Sequence, residues 1–299
     1  MDKAHVLTDI LLDDMEKEIA QIYKRAAKEM QSKSDSFFAK LAIEDAQKRE
    51  LVKKGKMTEK EYRAWLRKKL TTGKGIQQWK RNIAIQAEHA NEIATAYING
   101  QTPHVYSVNY NAVKTQAGEI KGYSFQLMSP ETVKALAKND KSMLPLKVLD
   151  PAKDVAWNMK AINAEVLQGL IQGESVNAIS TRIYGYTSKK GEDIGELMKK
   201  NKAAAVRTAR TIVTAAENKG RQDSYDRLTK DGIIIKKQWL ATLDKRVRDS
   251  HLALHMATVD ENKPFDNGLM YPADPNGRPE EVYNCRCSMA AVVVGFRRV

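Results

Sequence analysis

The sequence is poor in cysteine, proline and glycine, and each shortage closes a class of protein. Only Cys285 and Cys287 occur in 299 residues, and the single residue between them makes them poor disulfide partners. Such usage fits a reducing compartment and excludes a disulfide-stapled secreted scaffold. Eight prolines and 16 glycines are too few for a collagen-like or long disordered chain. No stretch approaches eighteen consecutive apolar residues, and the opening MDKAHVLTDILLDD turns acidic where a secretory signal would carry its apolar run. Neither export nor membrane insertion is expected. Motifs of familiar enzymes are missing too: there is no GxSxG, no HExxH and no alternating acidic pair, and the GKG at Gly73 to Gly75 lacks the spacing of a phosphate-binding loop. A catalytic function is therefore not expected.

What is present is charge and helical periodicity. The chain is 42% apolar and 29% charged, with a net charge of +13, and is long enough to bury a core and to form two or three domains. That charge favours polyanions or acidic partner surfaces. Between Arg182 and Arg210 eight Lys or Arg stand against three Asp or Glu. Lys199, Lys200, Lys202, Arg207 and Arg210 are thus the candidate nucleic-acid-binding residues, for sequence-independent contact with double-stranded DNA. The plainer alternative is a wetted face that keeps the domain in solution.

Leu7, Leu11, Met15, Ile19, Ile22 and Ala26 recur at helical spacing, and the pattern continues through Phe37, Leu41 and Leu51 until Gly55. Thr58 and Glu61 have capping-box spacing before Tyr62, Trp65, Leu66 and Leu70. Ile76 to Tyr97 predicts another long helix, ending near Asn99 and Gly100. HVYSVNYN alternates in period two and predicts a short strand or extended piece. Ser129-Pro130 and Asp150-Pro151 announce further helices, and 176–183 and 199–218 are helical by pattern. The β-branched IIIKKQW ending at Trp239, and the run at 290–294, predict strands, with a helix over 244–256 and a long loop over 260–280. The expected fold class is α+β. A helical docking region (1–100) precedes a connecting segment (101–150) and a C-terminal domain (151–299) with helices and a small sheet.

The C-terminal residues carry a resemblance. Trp239, Leu243, Asp244, Arg246, Arg248, Ser250 and His251, followed by Asn284, Cys285, Arg286 and Cys287, resemble the signature of the Mu F-like phage head morphogenesis family. WLATLDKRVRDSHLALH resembles its first motif, and Tyr271, Pro272, Asp274, Pro275 and Glu281 before NCRC its second. ARTIVTAAENKGRQDS at 209–224 is similar to an Arg-Thr and Asn-x-Gly-Arg segment of the family. Where many relatives carry Gly after the second histidine, this chain has Met256. The resemblance implies a minor capsid protein of a phage or prophage. It would bind the portal and other capsid or scaffold proteins during procapsid assembly in the host cytoplasm, and would reside in the virion inside the head near the portal. Some related chains join this domain to a toxin; with ten or so residues after Cys287, no appended enzyme is expected here.

The same region offers metal ligands. Residues four apart on a helix share a face, and residues two apart in an extended segment point the same way, so His251 and His255 could meet Cys285 and Cys287 around one zinc ion. Four protein ligands would make a closed structural zinc site that fastens the 260–280 loop. The alternatives are two cysteines acting as small buried hydrophobes with a histidine capping a helix carbonyl, or a metal-dependent DNA-processing enzyme. In the latter, Asp244, His251 and His255 would hold the ion and Arg246 or Arg248 a phosphate. Arg246, Arg248 and Arg286 could equally pair with Asp244, Asp249 and Glu281 to organise the domain.

Overall fold

Local chemistry sets where the helices begin. Thr58 accepts from the Glu61 amide at 3.2 Å while the Glu61 carboxylate accepts from the Thr58 amide at 2.8 Å, so both halves of the capping box are present. Ser129 and Asp150 cap the next two starts, each followed by proline at the first helical position. The computed structural model describes residues 2–117, 125–140, 142–188 and 191–297.

In chain order these residues form α1 (Lys3–Lys53), α2 (Glu59–Thr71), α3 (Lys74–Ala117), α4 (Pro130–Asn139), α5 (Pro151–Ile171) and α6 (Val176–Tyr184). Then come the hairpin β1 (Gly185–Ser188) and β2 (Gly191–Ile194), and the long α7 (Glu196–Lys230). The C-terminal part holds β3 (Ile233–Leu240), α8 (Asp249–Ala253), β4 (Thr258–Asp260), α9 (Pro279–Val282) and β5 (Ser288–Phe296). The fold is α+β: mostly helix, with a small antiparallel sheet in the order β4-β3-β5. No helix among the described residues is long and apolar enough to cross a membrane.

The chain divides into two compact units. One gathers 1–16, 96–147 and 206–299; the other gathers 17–95 and 148–205. In the second unit a buried amide network links four helices, α1, α3, α5 and α7. Tyr23 donates to Asn91 at 2.6 Å, Asn91 to Asp154 at 2.8 Å and to Asn201 at 2.7 Å, and Asn201 to Asn158 at 2.8 Å. Every amide that burial removes from water finds a partner there, which fixes the register of the packed helices. The first unit has two apolar clusters. One joins Tyr106, Tyr110, Tyr225, Leu228, Ile235 and Met289; the other surrounds Trp239, Phe265, Leu269, Cys285 and Cys287.

Three expectations are corrected here. HVYSVNYN is helical, and α3 runs unbroken past Asn99, Gly100 and Pro103. Val105, Tyr106, Asn109, Tyr110 and Val113 are all buried at helical spacing, so tertiary burial outweighs the apparent alternation. The span 244–256 is helical only over Asp249–Ala253. The stripes read as docking faces are internal: Met15 and Ile19 are 0% exposed, and Ile76, Trp79, Ile83 and Ala87 are buried as well.

Gly220 explains how closely α7 approaches α3. A Cβ there would lie 2.5 Å from the Tyr106 carbonyl oxygen and 3.2 Å from the Tyr110 amide nitrogen, both backbone atoms that cannot swing aside. Gly220→Ala should therefore destabilise the chain by about 1–3 kcal/mol through overpacking. A shifted denaturant midpoint with the same slope would bear this out; an unchanged midpoint would refute it.

Candidate metal centre

The centre is assembled on β3 and α7. Along β3 the buried face carries Ile233, Ile235, Lys237 and Trp239 in period two. The Trp239 ring meets the edges of His251 and Phe265, each with centroids 5.1 Å apart. His251 sits on the short α8 and is buried.

Four α7 side chains on one face hold the segment that carries the cysteines. Thr211 accepts from the Asn284 amide at 3.0 Å, Thr214 donates to the Cys285 carbonyl at 2.9 Å, Asn218 to the Cys287 carbonyl at 3.0 Å, and Arg221 to the Met289 carbonyl at 2.8 Å. Helical spacing on one side thus matches the two-residue spacing of carbonyls along an extended edge on the other. Asn284 adopts φ 57°, a left-handed conformation that asparagine tolerates, and turns the chain into the Cys-x-Cys segment. These α7 residues were not among the sequence candidates. Their signal was a polar row at i, i+3, i+7 and i+10 within an otherwise apolar helix face.

The structure brings His251, Cys285 and Cys287 together, with all their ligand atoms within 4.8 Å of one another. His251 Nδ1 lies 3.4 Å from Cys287 Sγ and 3.7 Å from Cys285 Sγ. Tetrahedral zinc, with bonds of about 2.3 Å to sulfur and about 2.0–2.1 Å to nitrogen, needs N···S edges of roughly 3.6 Å, so these separations fit. His251 Nε2 donates to Glu281 at 2.9 Å, and Nδ1 on the other side of the ring faces the thiols. A carboxylate behind a ligating histidine is the usual outer support of a zinc site. Glu281 is itself placed by Ser250, 3.1 Å from each of its oxygens, and by Asn267 at 3.3 Å. Burial works against its ionisation, but the bonds from Asn267 and Ser250 and the neighbouring His251 hold its carboxyl below the usual range. The two thiols split: a hydrogen bond from Cys285, with help from His251, lowers Cys287 to about 4, while its role as donor and its burial raise Cys285. The cluster can coordinate a metal such as zinc.

His255 does not join them. α8 ends at Ala253, so the face shared by positions four apart is not continued, and His255 Nδ1 accepts from the Ala241 amide at 3.2 Å. Met256, at φ 66°, occupies a left-handed position that glycine would take without steric cost. Of the four expected ligands, the structure brings three together.

The motif residues around the cluster organise loops. Arg286 grips Asp244 with two bonds of 2.5 and 2.8 Å, and Arg246 approaches the same carboxylate at 3.8 Å. The Arg286 bonds, then the Arg246 amide, hold Asp244 well below the ordinary carboxylate range. So committed, Asp244 is no free metal ligand. Arg248 donates to the Tyr283 carbonyl. The basic candidates are dispersed: Lys199, Lys200 and Lys202 belong to one unit, Arg207 and Arg210 to the other. Lys199 pairs with Glu196 at 3.2 Å, Lys200 with Glu165 at 2.6 Å and Arg210 with Glu16 at 2.6 Å. Among the described residues Lys202 and Arg207 have no carboxylate partner. Lys189 and Lys190, within the same basic stretch, lie outside the described residues.

Zinc titrated into untagged protein should bind with one ion per chain and raise stability by about 2.7 kcal/mol at a hundredfold excess over Kd. Cys287→Ser should abolish binding, and His255→Ala should leave the stoichiometry unchanged. Elemental analysis with melting before and after chelation reads all three; loss of zinc in the His255 variant would restore a four-ligand site.

Comparisons with known proteins place these features in a wider setting. No solved structure matches. The chain is 27% identical over 172 residues to the NAD(+)--arginine ADP-ribosyltransferase EFV of Enterococcus faecalis (strain ATCC 700802 / V583), a match that covers 50% of this chain and 35% of the relative. The chain therefore spans about a third of that relative's length. With the buried His/Cys/Cys cluster, this similarity overturns the expectation of a chain without catalytic function and points toward catalytic capacity. Residues 160–290 match the family described as Phage Mu protein F like protein. That region encloses α7, β3 and the three metal-ligating side chains, and its similarity supports homology to this phage protein family and a phage structural role.

Proposed function

We propose that the chain is a minor capsid protein of a phage or prophage. It acts in head morphogenesis by docking on the portal and procapsid during assembly in the host cytoplasm, and resides in the virion inside the head near the portal. The observation that carries this reading is the family match over residues 160–290. In this role a zinc ion on His251, Cys285 and Cys287 fastens the loop that leads from β4 to α9, and binding free energy becomes folding free energy.

Docking needs exposed apolar side chains, and the long stripes of α1 and α3 are consumed internally. Leu7 and Ile10, one turn apart near the start of α1, are instead 55% and 53% exposed. Removing residues 1–100 is a poor test, because Asp2 and Thr8 belong to the same unit as Arg221 and Asn109 and bond to them. Leu7→Ser combined with Ile10→Ser in the whole chain should lower incorporation into procapsids at least tenfold while the melting temperature holds. Undiminished incorporation would remove α1 as the docking element.

Contact with packaged duplex DNA rests on net charge and on the unpaired Lys202 and Arg207. A second reading, metal-dependent DNA processing, rests on one observation. Three protein ligands leave a tetrahedral ion one open position, as catalytic zinc sites do. The name of the enterococcal relative adds transfer of ADP-ribose from NAD+ to arginine as an activity to assay. One experiment addresses both DNA roles: titrating plasmid with the zinc-loaded chain at rising salt, and following retardation and nicking. Binding should weaken with log[salt] at a slope of about 0.9 per phosphate contact, and neutralising Lys202 and Arg207 should flatten it. No binding at low salt removes DNA contact; nicking lost in Cys287→Ser would favour the enzyme.

A further inference from the structure

The second unit contains an open groove of about 820 Å³ between α2 and α5, far in sequence from the metal-capable cluster. One wall is α2. Tyr62, Leu66 and Leu70 are its buried face, and Tyr62 is anchored by donating to Asp45 at 2.6 Å. That anchoring turns Lys60, Arg63 and Arg67, at i, i+3 and i+7, outward along the rim. Arg49 adds a fourth cation, stacked over the Tyr62 ring with the guanidinium carbon 5.0 Å from its centroid and paired with Asp45 at 3.1 Å just outside the lining. Against these four the groove lining has a single carboxylate, Glu59, which pairs with Arg63 at 2.7 Å. Among the described residues Lys60 and Arg67 have no carboxylate partner.

The other wall is apolar. Leu167, Leu170 and Ile171 line it from α5, and Leu167 and Ile171, one turn apart, are 56% and 71% exposed. On the opposite face of α5 Ile162 and Val166 are fully buried, so Leu167 and Ile171 form an outward apolar strip at the end of the helix. An apolar strip rimmed by polar groups marks a surface that a partner covers.

We infer that this groove binds an acidic amphipathic helix of another protein, its apolar side chains against Leu167 and Ile171 and its carboxylates on Lys60 and Arg67. Charge complementarity gives the sign of the partner, since rim cations steer and orient an acidic segment. The apolar wall separates a peptide from nucleic acid. A phosphate backbone would use the cations and leave Leu167 and Ile171 in water, whereas a helix with apolar residues at i, i+3, i+4 and i+7 uses both walls, as helix-in-groove recognition does. The phage reading is not needed for this inference.

The test uses the full chain and a fluorescein-labelled synthetic helix with leucine at i, i+3, i+4 and i+7 and glutamate at most other positions. Its controls are the same peptide with each leucine replaced by serine, and a labelled DNA duplex. Anisotropy titration should show saturable binding of the leucine-bearing peptide, at least tenfold weaker for the serine version. Leu167→Ser with Ile171→Ser, and separately Lys60→Ser with Arg67→Ser, should each weaken it at least tenfold. All four side chains are exposed, and melting curves matching the parent would show that neither pair perturbs the fold. No binding of the leucine-bearing peptide, equal binding of its serine version, or affinity unchanged in the Leu167/Ile171 variant would overturn the inference. Duplex binding that depends on Lys60 and Arg67 but not on the apolar pair, in place of peptide binding, would make the groove a phosphate surface and overturn it equally.

Discussion

The unit that holds the metal-capable cluster depends on one buried cation. Arg221 is 1% exposed, and its guanidinium is divided among Asp2, Glu217 at 3.2 Å, the Asn109 side chain at 2.8 and 3.1 Å, and the Met289 carbonyl. Burial alone would lower its pKa, but Glu217 and Asp2 outweigh that and raise it. A charge stripped of water is tolerated only when its donors are satisfied, and removing a partner typically costs about 3–5 kcal/mol. Arg221 therefore ties α1, α3, α7 and β5 together through a requirement none of them can evade.

From that anchor the rest follows along α7. The spacing that puts Arg221 on Met289 also puts Asn218 on Cys287 and Thr214 on Cys285, so the two sulfurs are presented by backbone that a helix holds in register. His251 arrives separately, fixed by Trp239 on one side and Glu281 on the other. Rigidity of this kind is what a metal site requires of its scaffold, whether the ion fastens a loop or activates a substrate. The Asn-x-Gly-Arg run of α7 acquires a physical meaning here: Asn218 and Arg221 hold carbonyls, and Gly220 between them lets α3 come close.

Local chemistry was the most legible layer of the sequence. Caps at Thr58, Ser129 and Asp150 depend on neighbours within four residues, and each is found where its spacing places it. The strands around Trp239 and 290–294 were legible for a similar reason, being β-branched runs with little competing pattern. Readings that failed needed information from far along the chain. HVYSVNYN becomes helix because Tyr106 and Tyr110 pack with Tyr225 and Met289, more than a hundred residues away. The apolar stripes of α1 and α3 looked free only because the surfaces that bury them could not be seen. His255 was misplaced by a helix boundary, for α8 ends two residues before it, and the compensating bond to Ala241 leaves no trace in spacing. The polar row Thr211, Thr214, Asn218 and Arg221 was visible as letters, but nothing local says that it reads carbonyls.

The interleaving of the two units in sequence bears on how the chain is made. Residues 1–16, 96–147 and 206–299 form one unit, so during synthesis its earliest segment leaves the ribosome while most of its partners are still untranslated. Asp2 can meet Arg221 only once residue 221 has emerged, and Arg221 can meet Met289 only once residue 289 has. At about 5–20 residues per second, that leaves the start of α1 waiting for tens of seconds or so. Leu7 and Ile10 are exposed throughout that interval, beside a carboxylate destined for burial against Arg221. The decisive step in folding this unit therefore waits for residue 289, and a nascent chain stalled before it is open to chaperones and proteases, because it lacks the tie between Arg221 and Met289.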